Sequence, residues 1–197
     1  MRPAQLLAVC ALCVSANAFA TSFDSLDLYF VNSKIEAPPA GDFDGDGFGG
    51  KFRGSVGDDF FFSGEYQSLS DGDNGDYNEW RVGLGLPFGR YSSMTPYGLL
   101  EYINTEFDAA GLEDDGIGAH LGLLFHPMQE LSLYGQAGYI GLREADGYEW
   151  LVGAALQLRS WGGLFAEYRN AELEVDDGGG DLETKGVRAG IYLLVSQ

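Results

Sequence analysis

From Gly116 to Leu142 apolar residues alternate with small or polar ones at a period of two, interrupted by a turn at His126-Pro127-Met128-Gln129. Before the turn Ile117, Ala119, Leu121, Leu123 and Phe125 share one face, opposite Gly116, Gly118, His120 and Gly122. After it Leu131, Leu133, Ala137 and Tyr139 oppose Ser132, Tyr134, Gln136 and Gly138. Successive side chains of a strand point to opposite faces, so the pattern predicts a hairpin with one apolar face. Each arm has about the ten residues that a tilted strand needs to cross a bilayer. The unit recurs: Trp80, Val82, Leu84, Leu86 and Phe88 oppose Arg81, Gly83 and Gly85, and Trp150, Val152, Ala154, Leu156 and Leu158 oppose Leu151, Gly153, Gln157 and Arg159. Val187, Ala189, Ile191, Leu193 and Val195 oppose Arg188, Gly190 and Ser196.

Extending this reading gives ten strands, over 24–36, 47–57, 60–70, 78–88, 94–106, 116–126, 130–142, 148–159, 163–174 and 184–196. The expected fold is all-β: a closed, up-and-down antiparallel transmembrane β-barrel of ten strands, with eight as the alternative. Val31 and Glu101 interrupt the alternation of the first and fifth strands and leave the count open.

Charge decides which face meets lipid. A Lys or Arg near the bilayer midplane on the lipid face costs about 2 to 4 kcal/mol. Asp27, Lys51, Arg53, Glu65, Arg81, Glu101, Glu167, Arg169 and Arg188 fall mid-strand, each opposite the better apolar row. They are expected to point inward as a lumen charge network, because unpaired charge in a narrow interior is costly and small barrels are filled by side chains. A narrow aqueous pore is the competing reading of the same residues.

The connectors near Asp58-Asp59, His126-Pro127 and Ser160-Trp161-Gly162 read as short turns on one side, together with a somewhat longer one around Arg90. The others, beginning at Pro38, Ser70, Glu106, Arg143 and Glu174, read as longer acidic loops. With an even strand count both termini lie on the short-turn, periplasmic side and the acidic loops lie outside. Trp80, Trp150, Tyr139 and Tyr168 then fall near the outer membrane interface, and Phe60, Phe88, Phe125 and Trp161 near the inner one. Such aromatic girdles flank the apolar band of outer-membrane barrels.

The chain begins with Arg2, the apolar run Leu6 to Val14 and Ala18-Phe19-Ala20, the layout of a secretory signal peptide over residues 1–20. Residues 21–197 are expected to form one barrel domain. Both cysteines, Cys10 and Cys13, lie in the leader, so the remainder has no thiol chemistry. After residue 20 no window holds the eighteen or so apolar residues of a membrane helix. The formal net charge of -19 argues against nucleic acid as a partner.

The hairpins "EWRVGLGLPFG", "GAHLGLLFHPMQELSLYGQAGY" and "EWLVGAALQLRSWGGLFAEYR" resemble those of the small Gram-negative outer-membrane barrels, the OmpA-like transmembrane domain and the OmpW-like proteins. The resemblance runs over residues 21–197 and implies an outer-membrane location with lipid and lipopolysaccharide as neighbours. Those families usually have eight strands and end in an aromatic residue; here ten are counted and Tyr192 is the last aromatic.

The sharpest local motif is Asp42-Phe43-Asp44-Gly45-Asp46-Gly47, the first half of a calcium loop. Its twelfth position is Arg53, where a bidentate Glu is required, and a strand follows where a helix should. Asp42, Asp44 and Asp46 are therefore a candidate for a weakly held divalent cation only, with an acidic turn as the plainer reading and no dedicated cofactor expected. A ring of acidic loops would concentrate cations and repel anions.

Catalysis is not expected. The ten-stranded barrel proteases and the barrel lipid-A hydrolases need a His at the outer rim beside a carboxylate or Ser. Only two His exist: His126 lies at a periplasmic turn, and His120 lies within a strand and reads as a polar lumen residue. Without cysteine or clustered His, thiol and zinc chemistry have no residues to use. The expected role is that of a monomeric, non-catalytic envelope protein in surface contact. A small cation-preferring channel is one alternative. A periplasmic or secreted lipid-binding barrel, with the apolar row inside, is the other.

Overall fold

Alternation at period two extends the backbone and leaves every N–H and C=O needing a partner strand, a need that a closed sheet meets without an edge. A computed structural model describes residues 23–37, 41–57, 59–72, 75–89, 93–107, 112–175 and 180–195. Ten strands form: β1 (Ser25–Ala37), β2 (Gly41–Val56), β3 (Phe60–Asp71), β4 (Gly75–Pro87), β5 (Met94–Phe107), β6 (Leu112–Met128), β7 (Leu131–Leu142), β8 (Ala145–Arg159), β9 (Gly162–Val175) and β10 (Gly180–Leu194). Each pairs antiparallel with its sequence neighbours, and β1 pairs with β10 to close the barrel. The count is ten and not eight. The leader, residues 1–20, lies outside the described residues.

The closing seam shows how the faces sort. Along β1, Ser25, Asp27, Tyr29, Val31, Ser33 and Ile35 are buried, while Leu26, Leu28 and Phe30 are exposed. Val31 and Glu101 both point inward, so neither interrupts a strand. The exposed row continues around the barrel through Phe52, Phe62, Leu84, Leu100, Leu121, Val152, Leu164 and Ile191. An apolar band on the outside with charge inside is the arrangement of a protein whose solvent is lipid. It is the inverse of a soluble lipid carrier, and that alternative is overturned.

Aromatic side chains mark the edges of the band. At one edge Trp80 packs on Tyr102 and Trp150 on Tyr168, each with ring centroids 5.2 Å apart. Tyr139 packs on Tyr148 at 5.3 Å. At the other edge Phe60, Phe88 and Trp161 are exposed.

The outer connections differ from expectation. Strand pairing continues well past the apolar band, so the acidic residues near 42–46, 76, 113–115, 146 and 181–183 belong to strands. Only residues 38–40, 72–74, 108–111, 143–144 and 176–179 connect the strands at that end. Above the membrane an outward carboxylate meets water, and nothing opposes its place in a ladder. The Asp- and Gly-rich composition that reads as a loop is thus compatible with paired strands. At the other end lie the connections 57–59, 88–93, 129–130 and 160–161 and both chain ends of the barrel.

Inside, glycine and aromatic residues face each other across neighbouring strands. Tyr29 is the register partner of Gly49, Phe61 of Gly85, Tyr97 of Gly122 and Tyr134 of Gly153. In all four pairs a Cβ on the glycine would run into the aromatic ring. The glycine-rich inward row is therefore the floor on which large rings lie flat, filling a lumen too narrow for two bulky rows.

Candidate functional site

The candidate site is the lumen, because every mid-strand charge converges there. At the end that carries both termini of the barrel Phe23, Phe61, Tyr97, Leu99 and Leu124 form an apolar layer, with Phe23 stacked on Phe61 at 4.1 Å. From Tyr29 and Phe165 at mid-barrel, a second cluster continues through Val31, Ile35, Phe43 and Leu69 toward the opposite end. Ile103, Ile140, Ala145 and Leu173 form a third. Charge lies between them.

Two hubs organise that charge. Around Arg188, Nη1 reaches Glu65 Oε1 at 2.7 Å and Glu167 Oε1 at 2.9 Å, and Nη2 donates to Gln67 Oε1 at 2.7 Å. Lys51 Nζ lies 3.3 Å from Glu65, and Tyr29 and Tyr134 donate hydroxyl hydrogen bonds to Glu65 and Glu167. The Tyr29 ring also sits 5.3 Å from the Arg188 guanidinium carbon, within the range of a cation–π contact. Around Arg81, Nε donates to Glu79 at 3.0 Å, while Nη1 and Nη2 grip the two oxygens of Glu149 at 2.9 and 2.8 Å. Arg169 binds the same two carboxylates, with Nη1 to Glu79 at 2.7 Å and Nε to Glu149 at 2.6 Å. Gln67 Nε2 donates to Glu79 at 3.4 Å and joins the hubs. Nearer the end with both termini Arg53 pairs with Asp27 at 2.9 Å.

All nine residues picked from the sequence as lumen charges face inward. Their partners are not all each other: Arg81 and Arg169 spend their hydrogen bonds on Glu79 and Glu149, which the sequence reading missed. Both precede a tryptophan, in "NEWRVG" and "YEWLVG". The parity that puts Trp80 and Trp150 outside puts Glu79 and Glu149 inside, and that parity was the available signal. Two basic groups clamped on two carboxylates in a dry interior offset a desolvation cost of several kcal/mol per ion only because their hydrogen-bonding positions are so largely filled.

The histidines do not assemble a catalytic site. His120 is enclosed, with Nε2 3.4 Å from Glu101 and Nδ1 4.0 Å from Glu149. A substrate would have to displace a packed layer to reach it. His126 Nδ1 shares a 2.9 Å hydrogen bond with Ser132 Oγ across the β6–β7 turn, with no carboxylate bonded to it among the described residues.

Asp42, Asp44 and Asp46 lie on β2, not in a loop. Gly45 and Gly47 continue the strand opposite Ser33 and Val31, so the sharp turn of a calcium loop is not formed. The three carboxylates point outward in a row, with Lys34 3.4 Å from Asp42 and Asn32 donating to Asp46 at 3.2 Å. Among the described residues no three His, Cys, Asp or Glu side chains gather as a metal site.

No family model matches the sequence, and no curated protein sequence matches it. Solved structures do. The outer membrane protease OmpT from Escherichia coli superposes with a TM-score of 0.60 at 10% identity, over 91% of this chain and 99% of that one. The KdgM porin gives 0.48 at 10% identity, over 84% and 98%. Neisserial surface protein A gives 0.40 at 14% identity, over 90% and 99%. At these identities the likeness is one of fold. The chain has the fold of the small outer-membrane barrels, and with its apolar outer band it is a protein of the Gram-negative outer membrane.

Proposed function

We propose that the protein is a non-catalytic, non-conducting barrel, residues 21–197 acting as one monomeric domain after removal of the leader 1–20. Its role is in envelope structure and surface contact. The observation that carries this reading is the filled lumen: an apolar layer, a paired charge network and a second apolar region succeed one another along the axis. A conducting pore needs a continuous polar path, and here Phe61, Tyr97 and Leu124 below and Phe43 and Leu69 above stand across it. The outward carboxylates above the band support an acidic face toward lipopolysaccharide and the cell's surroundings, with divalent cations bridging carboxylate to phosphate. Planar-bilayer recording tests the reading. Purified barrel is expected to give no discrete conductance steps, whereas reproducible cation-selective steps would establish the channel reading in its place.

A further inference from the structure

The lumen network does not balance by fixed charge. Among the described residues its cations are Lys51, Arg53, Arg81, Arg169 and Arg188; its carboxylates are Asp27, Glu65, Glu79, Glu101, Glu149 and Glu167, one more. Five of these six carboxylates hold a charged hydrogen bond or a close cation. Glu101 has the weakest provision: its cationic neighbour is Arg81 Nη1 at 3.5 Å, and that nitrogen already donates to Glu149. Its other neighbour is His120 Nε2 at 3.4 Å. The His120 side chain is fully buried, and neither ring nitrogen has a hydrogen-bond partner.

We propose that the His120–Glu101 pair holds one dissociable proton beyond the imidazole's own N–H, and that this proton supplies the sixth positive charge of the lumen. Among the described residues no cation that faces His120 is free to supply that charge. From β2 comes Lys51, spent on Glu65; from β4 come Glu79 and Arg81; from β8 comes Glu149; from β9 comes Arg169, spent on Glu79 and Glu149. On β7 the register partner of His120 is Gly138, which brings no side chain. A buried carboxylate left without compensation is strongly destabilising, so the proton is bound more tightly in the folded barrel than in the unfolded chain.

The consequence is a dependence on pH of definite sign. A proton held more tightly by the folded state stabilises it fully below the unfolded group's value, and that stabilisation is lost as pH rises through the folded value. The folding equilibrium constant of the wild type in lipid vesicles is expected to fall, by up to about tenfold per pH unit, as pH rises above the free imidazole value of about 6.5. Glu101→Gln removes the surplus charge. This variant should fold, show no such decline, and exceed the wild type in stability at the alkaline end. A flat wild-type profile, an E101Q profile that declines in parallel with the wild type, or an E101Q barrel that fails to fold would each overturn the proposal.

Discussion

Arg81 and Glu149, on strands at distant positions in the chain, meet across the lumen in a two-pronged pair, Nη1 to Oε1 at 2.9 Å and Nη2 to Oε2 at 2.8 Å. The pair ties β4 to β8 through the interior, in addition to the hydrogen-bonded route around the wall. Among the described residues, Arg81→Met leaves Arg169 as the one guanidinium hydrogen-bonded to Glu149 and Glu79. Urea unfolding in vesicles, followed by tryptophan fluorescence, is expected to show a loss of about 3 to 5 kcal/mol. Adding Glu149→Met should recover part of that loss, because no Glu149 carboxylate is then left short of a guanidinium, while Glu101 still lacks Arg81.

The ring-on-glycine pairs make a second prediction. Phe61 lies across Gly85, and a side chain there has no room. Gly85→Val is expected to cost about 1 to 3 kcal/mol by overpacking. Combined with Phe61→Ala, which vacates the space, the cost should be smaller than the sum of the two single changes, a coupling that a double-mutant cycle measures directly.

The outer surface makes a third. Val152 is exposed within the apolar band, and Glu174 is exposed near the outer end of β9. Val152→Arg is expected to destabilise the folded barrel by about 2 to 4 kcal/mol, whereas Glu174→Arg should cost about 0 to 1 kcal/mol. Equal costs at the two positions would remove the distinction between lipid-facing and water-facing surface.

The strands were legible wherever one face must be apolar, because a period of two leaves little freedom of register. Trp80, Val82, Leu84 and Leu86 are exposed, as are Trp150, Val152, Leu156 and Leu158, as their sequence pattern requires. Past the band that constraint lapses. Residues 41–46 pair with β1 even though Asp and Gly carry no strand signature, and what holds them is the ladder begun by their neighbours. The same change of solvent explains the interior. Val31 and Leu69 are apolar and inward because the outer half of the lumen is filled like the core of a water-soluble protein, whereas Glu65 and Arg188 are charged and inward beside the lipid band. The inward position of the nine mid-strand charges follows from parity alone. Which carboxylate each cation pairs with does not, since Arg169 to Glu79 spans 90 positions and depends on barrel closure, which no local pattern encodes.

The filled lumen is tested most directly by thiol accessibility, since residues 21–197 contain no cysteine. Ser63 faces inward between Phe61 and Glu65 and is 4% exposed, while Ser70 faces outward near the outer end of β3. With a membrane-impermeant maleimide added to folded protein in detergent, Ser70→Cys should label readily and Ser63→Cys should remain unlabelled until the barrel is boiled. Labelling of Ser63→Cys in the folded barrel at a rate comparable to Ser70→Cys would mean a water-filled lumen and would contradict the account.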